Sequence, residues 1–556
     1  MDCFVAPCKE GCPIHQDITT YLQLVGEEKY EEAMEVIAEK NPLPFITGTI
    51  CAHNCMSKCT RNFYETPVHI REMKLKAAEN GYEALLEKLP VPAVTKAGKA
   101  AVIGGGPAGM AAAYFLRKGG MEVTLFEAKE SLGGVVRHVI PPFRISEDAI
   151  EKDAEILRKM QVDIRCNTKV ESLEELKKQG YTKIVLAVGA PVQGSLKLES
   201  GMPKNALEFL AEFKQTDGNV SLGKYVVVIG GGNTAMDTAR AAKRNVGVEH
   251  VYLVYRRTRR YMPADEEELV MALEDGVEFK ELLSPVKLEN GQLLCKVMQL
   301  SDYDVSGRRG VTETGETVWV PADTVIAAVG EKVPTDWYQA NGLAVSEKGR
   351  LYVDEKTLKT SDDNVYAAGD GLYGPATVVE AIRDGRKVAE AIAGEVLARD
   401  FDKLAEEEKV YAKRGVLKEE QKETKEAGRC LGCSTICENC VEVCPNRANI
   451  AIQVPGMEKH QIIHVDYLCN ECGNCKSFCP YSSAPYLDKF TLFATEADME
   501  NSKNQGFAVL NQETRRCKVR FFGKTFIWEP EKPAGLPDGL GRMIETVCRD
   551  YSYLIR

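Results

Sequence analysis

The sequence predicts an α/β protein built on two doubly wound dinucleotide-binding domains, with a cysteine-rich segment at each end. Three observations carry that expectation. The stretch "KAAVIGGGPAGMAAAYFLRKGGMEVTLFEA" reads strand, glycine-rich turn, helix, strand. "KYVVVIGGGNTAMDTARAAKRNVGVEHVYLVYRR" at 224–257 repeats the arrangement, so two nucleotide-binding βαβ units are expected. Of 19 cysteines, six lie within residues 3–59 and nine within 430–479, at intervals that let thiolates converge on one small inorganic core.

Size and composition set the frame. A chain of 556 residues exceeds a single hydrophobic core and divides into domains. With 44% hydrophobic and 28% charged residues it has the composition of a globular protein. A net charge of −11 argues against a nucleic-acid partner. No apolar run approaches the ~20 residues of a membrane span, and "MDCFVAPCKEGCP" lacks the apolar core of a secretory signal. The expected location is cytoplasmic, where a disulfide framework is not expected. The scattered Cys166, Cys295, Cys517 and Cys548 read as buried structural thiols.

Residues 13–88 read as helical, with Ile18, Tyr21, Leu22 and Val25 at helical spacing and a second helix through Met73, Ala77, Tyr82 and Leu85. A Pro- and Gly-containing linker follows at 89–99. In the first fingerprint, Gly104 allows a tight turn, Gly106 lets the backbone approach a pyrophosphate, and Gly109 permits close helix–strand packing, with Pro107 and Ala108 between them. Glu127 ends the next strand, where a carboxylate accepts ribose hydroxyls. The second fingerprint comprises Gly230, Gly232, Asn233 and Thr234, with Ala235 in the third glycine position. Its next strand ends in Arg256, Arg257, Arg259 and Arg260. Guanidinium groups pair with a 2′-phosphate that an acid would repel, so this site favours NADP(H), with NAD(H) left open.

The segment 364–386 resembles the second FAD signature of two-dinucleotide-domain flavoproteins, with Gly369 and Asp370 at the ribityl or phosphate position. A helix starting at Thr377 and Val378 would point its positive end at the flavin. The resemblance makes the first domain FAD-binding and discontinuous, with the NADP(H) domain inserted. "KIVLAVGA" (183–190) and "TVIAAVGE" (324–331) sit where such flavoproteins carry crossover strands. Cys166 and Cys295 are isolated, so no C-x-x-C pair supports disulfide chemistry.

At the C-terminal end, Cys469, Cys472, Cys475 and Cys479-Pro480 form the bacterial dicluster ferredoxin run, in which the fourth cysteine serves the other cluster. Cys437, Cys440 and Cys444-Pro445 match it, with Cys433 one residue off template. By that exchange, Cys469, Cys472, Cys475 and Cys444 hold one [4Fe-4S] cluster. Cys437, Cys440 and Cys479 hold the other, completed by Cys433 or Cys430. Cys433 is nearer the template and is taken as the ligand, which leaves Cys430 over. That Cys430 reaches back to the N-terminal cysteines is the less economical alternative.

Together these residues resemble the glutamate synthase small-subunit superfamily, including "GGVVRHVIPPFRI" (133–145) and "YRRTRRYMPADEEEL" (255–269), over roughly residues 1–395. With its C-terminal ferredoxin the chain is most similar to the flavin/iron–sulfur subunits of selenate-reductase type. The resemblance implies an N-terminal α-helical ferredoxin-like domain and adds Gly134, Arg137, Val170 and Gly189 to the FAD and nucleotide set. It also implies up to two further [4Fe-4S] clusters, one on Cys12, Cys51 and Cys55, the other on Cys3, Cys8 and Cys59. Each is then one ligand short. Glu72, the Lys74 position, Asp2, His15 or a partner chain are the candidates to complete them.

The expected domains are 1–95 (helical iron–sulfur), 96–222 and 329–398 (FAD), 223–328 (NAD(P)H), 399–428 (helical linker), 429–490 (dicluster ferredoxin) and 491–556 (C-terminal extension). In the extension, "KVRFFGKTFIW" alternates like a strand and 539–554 reads as a helix. The expected function is electron transfer between NAD(P)H, FAD and a chain of [4Fe-4S] clusters, to or from a ferredoxin or a larger redox subunit in a hetero-oligomer. No acid–base side chain is required, so no catalytic residue is named. The alternative is a self-contained NADPH-dependent small-molecule reductase; a scaffold with idle sites is disfavoured by the intact glycines.

Overall fold

The computed structural model describes residues 5–63, 65–303, 309–401, 406–417, 425–531 and 535–556. The chain forms two compact units, one of Met1–Val36, His53–Met73 and Asp400–Arg556, the other of Ile37–Ala52 and Lys74–Arg399.

The second unit carries two parallel five-stranded sheets. The first runs Val365–Ala367, Tyr181–Leu186, Lys99–Ile103, Glu122–Phe126, Asp163–Arg165. Ala100 to Ile103 and Val123 to Phe126 are buried in succession, as strands covered on both faces require. The helix Pro107–Lys118 that follows the first strand packs against Val378–Ala393, where Gly385 allows the approach: a Cβ there would meet the Ala108 carbonyl oxygen at 2.6 Å. The second sheet runs Lys204–Asn205, Thr324–Ala327, Tyr225–Ile229, His250–Tyr255, Glu278–Glu281. It begins at Lys204, upstream of the first residue expected for that domain. Between its last two strands in sequence, Glu278–Glu281 and Thr324–Ala327, an antiparallel three-stranded sheet is inserted at Leu283–Glu289, Gln292–Tyr303 and Arg309–Pro321.

The second sheet's core joins Phe209, Val226, Val228, Met236 and Leu253, and it reaches into the first module through Val139, with Phe143 packed on its edge. Arg144 follows and is nearly enclosed. It donates two hydrogen bonds to the Glu268 carboxylate and one to Asp237, each at 2.5 Å. Phe143 lies under the guanidinium groups of Arg240 and Arg244, 5.1 and 4.3 Å from the ring centre. The two motifs that carry the resemblance, 133–145 and 255–269, thus meet in one buried ion network.

Ile18–Gly26 and Tyr30–Lys40 form separate helices, interrupted where Glu28 takes a left-handed conformation (φ 60°). Ile18, Tyr21, Leu22 and Val25 are all buried, as their spacing predicts. The helix Ile70–Lys88 contains Met73, Ala77, Tyr82 and Leu85. A six-stranded sheet runs Asn449–Ile452, Gln461–Val465, Thr491–Phe493, Gly506–Asn511, Arg516–Phe521, Lys524–Trp528. The boundary expected at 490 therefore falls inside one sheet. The ferredoxin strands pair directly with those of the extension, because hydrogen bonding along a sheet continues wherever an edge is open. The single strand expected over 518–528 is two, turned at Phe522-Gly523 (φ 46° and 74°). The helix Asp538–Asp550 covers the sheet with Met543, Ile544 and Val547.

Two further expectations are corrected. The linker 399–428 is not continuously helical: Glu407–Lys413 is a short helix and Glu426–Arg429 a 3-10 turn, while 402–405 and 418–424 lie outside the described residues. Of the scattered thiols, Cys295, Cys517 and Cys548 are buried, but Cys166 is half-exposed in the loop after Asp163–Arg165, where too little chain passes over it to close it off.

Candidate functional site

The first fingerprint is shaped by contacts that only glycine satisfies. Gly104 has φ 108°, and a Cβ on it would stand 2.3 Å from the Ala187 carbonyl oxygen; on Gly109 it would stand 1.9 Å from that of Gly104. Pro107 and Ala108 open the helix behind the turn, Pro107 at the position where its missing N–H costs nothing. Glu127 is buried, and its carboxylate accepts the Gly105 N–H and the Lys129 N–H, both at 2.7 Å. The carboxylate is thereby fixed beside the turn. Gly134 closes over this loop, with room for no side chain: a Cβ there would lie 2.8 Å from the Gly106 Cα. Arg137, one turn on, is held by Glu151 at 2.6 Å, and its Nε is buried with no hydrogen-bond partner among the described residues. Val170 lies in the loop before Leu173–Lys178, and Gly189, with open space beside it, follows Tyr181–Leu186.

The 364–386 segment comes to the same place. A Cβ on Gly369 would stand 2.6 Å from the Ala108 Cβ. Asp370 accepts the Ala376 N–H at 3.1 Å, and burial pushes its carboxyl up to about 6, helped by the nearby charges of Glu331, Glu380 and Asp384. Thr377 caps Val378–Ala393 in a reciprocal capping box with Glu380. That helix end carries unsatisfied backbone N–H groups next to the glycine turn. A cradle of glycines, an orphaned Arg137 N–H and a helix N-terminus fit an anionic dinucleotide such as FAD.

In the second fingerprint, Gly230 (φ 156°) faces the Ala328 carbonyl oxygen, and Gly231 lies against the Tyr255 ring. Space beside Gly232 is open. Asn233 and Asp265 exchange hydrogen bonds, Nδ2 to Oδ2 at 3.3 Å and N–H to Oδ1 at 2.9 Å, which ties the motif at 255–269 to the turn. Thr234 lies in the first turn of Asn233–Arg244, its carbonyl accepting the Thr238 hydroxyl at 2.6 Å. The arginines divide. Arg257, half-buried, donates to the Arg309 carbonyl at 2.9 Å, whereas Arg256, Arg259 and Arg260 are exposed, Arg259 pairing with Glu266 at 2.9 Å.

The structure brings four of the C-terminal cysteines to one pocket. Cys444, Cys469, Cys472 and Cys475 line one pocket with Asn449 and His464. Backbone N–H groups already point at two of these sulfurs, Ala448 at Cys444 (3.2 Å) and Glu471 at Cys469 (3.3 Å). His464, pushed down to about 4 by burial, bonds Asn449 at 2.9 Å, and Asn449 bonds the Cys440 carbonyl at 3.0 Å. Cys472 is exposed. Cys433 and Cys437 line a second pocket with Thr60, Phe63 and Phe478; Cys440 is buried and Cys479 half-exposed nearby in sequence. Thiols on separate turns, with N–H donors to sulfur, fit the corners of a [4Fe-4S] core. Among the described residues, no three His, Cys, Asp or Glu side chains are drawn together around a single metal ion.

Of the N-terminal set, Cys3 and Asp2 lie outside the described residues. Cys8 and Cys12 are buried on and after the turn Pro7–Glu10, which packs on Asn54–Ser57, the turn that contains Cys55. Cys59 follows, half-exposed, and Cys51 ends the helix Pro44–Ile50 in the second unit. The other candidate ligands are engaged elsewhere. Glu72 is exposed and pairs with His69 at 3.1 Å, Lys74 is buried beside the Asp153 carboxylate, and His15 faces Glu10. Sequence reasoning missed the Arg144–Asp237–Glu268 network, since nothing in the spacing of 144, 237 and 268 brings them together.

Residues 98–385 match the family of pyridine nucleotide-disulphide oxidoreductases, and residues 1–84 match dihydropyrimidine dehydrogenase domain II, 4Fe-4S cluster. The whole chain is 39% identical over 582 residues to "Putative oxidoreductase YgfK" of Escherichia coli K12, of which it spans 56%. It is 34% identical over 433 residues to NADPH-Fe(3+) oxidoreductase subunit beta of Geobacter sulfurreducens (70% of this chain, 64% of that one). It is 33% identical over 419 residues to the glutamate synthase [NADPH] small chain of E. coli K12 (69% and 87%). The chain thus spans little more than half the length of the first of these relatives.

Proposed function

Since the chain belongs to the pyridine nucleotide-disulphide oxidoreductase family and is an NAD(P)H-dependent FAD/iron–sulfur oxidoreductase, we propose that it is an electron-conducting subunit. In this reading it passes electrons from NADPH through FAD and a series of [4Fe-4S] clusters to a ferredoxin or a partner catalytic subunit. The observation that carries the proposal is the pocket of Cys444, Cys469, Cys472 and Cys475 with Cys472 exposed. A reductase that kept its electrons on the flavin would have no use for such a site. That relatives are named as beta or small subunits supports a hetero-oligomer.

Bound FAD supplies the conversion between two-electron and one-electron steps. The residues then divide the remaining work. Gly104, Gly106 and Gly109 let the backbone lie close to a pyrophosphate, and Glu127 is positioned for a ribose. Gly369, Asp370 and the capped start of Val378–Ala393 present N–H groups to negative charge. Gly230, Gly232, Asn233 and Thr234 form the nicotinamide-dinucleotide turn, with exposed Arg256 as the 2′-phosphate partner; Arg257, held on Arg309, orients the strand end. No side chain needs to exchange a proton. The domain bounds of the sequence reading are carried into this proposal, with the NAD(P)H module extended to include Lys204–Asn205.

The test is anaerobic reduction by NADPH, followed by flavin and cluster absorbance, with methyl viologen, a ferredoxin and selenate as acceptors. Flavin bleaching followed by cluster bleaching and acceptor reduction is expected. Flavin bleaching that never reaches the clusters refutes the conduit and leaves the self-contained reductase.

A further inference from the structure

The sequence leaves one thiol over at the C-terminal end and a shortage at the N-terminal end, and the fold brings the two together within one unit. The turn Glu426–Arg429 lies against Ile18–Gly26, and a Cβ on Gly26 would contact Ala427 at 3.9 Å. Immediately before Cys430, the Arg429 carbonyl accepts Arg61 Nε at 2.9 Å, two residues beyond Cys59. Immediately after Cys59, the Thr60 hydroxyl lies 3.1 Å from Cys433 Sγ. Arg429 itself donates to the Thr66 carbonyl at 2.7 Å and to Glu65 at 2.9 Å. Gly11 fixes the remaining partner: a Cβ there would stand 2.8 Å from Lys58 Cγ, so the turn bearing Cys8 is clamped beside Cys59.

The surroundings suit a thiolate cluster. Cys8 is buried, and Cys59, Cys430 and Cys433 are each partly buried. Arg61 and Arg429 are fully buried here and share the Glu65 carboxylate, with Glu426 also on Arg429. Arg429 Nε has no hydrogen-bond partner among the described residues. A buried N–H without an acceptor is rare and costly, and a cluster sulfur is an acceptor.

We propose that Cys430 is not surplus but ligates the N-terminal cluster to which Cys8 and Cys59 belong, so that one [4Fe-4S] site is built jointly from the two ends of the chain. The inference rests on the electron-conduit reading and adds its wiring. Cys433 stays with Cys437, and the contact of Thr60 with Cys433 sets the joint cluster next to the ferredoxin pair. Electrons then pass between N-terminal and C-terminal clusters inside one unit.

The experiment uses the full chain reconstituted anaerobically with ferrous iron and sulfide, scored by iron and sulfide per chain and by electron paramagnetic resonance after dithionite reduction. Cys430→Ser and Cys8→Ser are each expected to lose about four irons, or one corner iron, and the same spectral component. The double variant should lose no more than either single one. Cys437→Ser should remove a different component. A Cys430→Ser protein with unchanged iron and spectrum, or with the loss pattern of Cys437→Ser, overturns the assignment. Should Cys430→Ser lose its flavin and so its fold, Cys430→Asp, which keeps an anionic ligand, is read for a shift in the component that Cys8→Ser removes. No shift there also overturns it. Wild-type protein that binds flavin but no iron refutes the conduit itself, a result distinct from every variant outcome.

Discussion

Arg144 offers the sharpest perturbation of the nucleotide-binding unit. Its guanidinium is 15% exposed and spans two carboxylates, Glu268 at 6% and Asp237 at 11%. Replacing it with methionine keeps an unbranched chain of similar reach but leaves both acids buried with much of their countercharge gone. Arg240 compensates only in part, 3.8 Å from Glu268. Removing one partner of a buried pair costs about 3–5 kcal/mol. At about 2–4 °C per kcal/mol for a domain of 150–250 residues, the melting temperature should fall on the order of 10 °C. The pH dependence gives a second reading. Burial already raises the Asp237 and Glu268 carboxyls, with Arg144 opposing. Without Arg144 both rise further, so the variant's deficit should shrink as pH falls and the acids become neutral. The assay is thermal unfolding by tryptophan and flavin fluorescence at several pH values. A triple variant, Arg144→Met with Asp237→Asn and Glu268→Gln, should recover most of the loss. A single-variant effect below about 1 kcal/mol, or one independent of pH, would falsify the buried-network account, because exposed ion pairs contribute no more than that.

Three further outcomes are expected. The Asp370 carboxyl sits up at about 6 from an ordinary 3.8, so the stability it contributes is full below about pH 4 and lost as pH rises through about 6. Asp370→Asn should therefore gain on wild type between about pH 4.5 and about pH 7.5, by at most roughly 3 kcal/mol, and equal melting temperatures at both pH values would contradict this. Arg256→Ala should weaken NADPH binding by about one to two orders of magnitude while sparing NADH, as titration calorimetry with both nucleotides will show; equal losses would remove Arg256 from the 2′-phosphate site. In Gly109→Ala the new methyl has only 1.9 Å to the Gly104 carbonyl oxygen, so the flavin-to-protein ratio after purification should collapse, and full flavin retention would show that the turn relaxes at no cost.

Local pattern carried much of this protein. Both glycine fingerprints, the buried face of Ile18–Gly26 and the Thr377 cap follow from residues close in sequence, whose spacing alone fixes helix faces and turns. The inserted three-stranded sheet at 283–321 and the split hairpin at 516–528 were not legible in that way, because strand pairing depends on partners and turn geometry rather than on alternation within one run. Only the tertiary structure decided which distant charges and thiols meet. Arg144 finds Asp237 and Glu268 across 93 and 124 residues, and the Arg429–Cys430 segment finds Arg61 and Cys59 across more than 360. Such contacts arise from the packing of whole elements. For Cys430 the spacing left both roles open, and only the packing of Arg429 on Arg61 favours the N-terminal one.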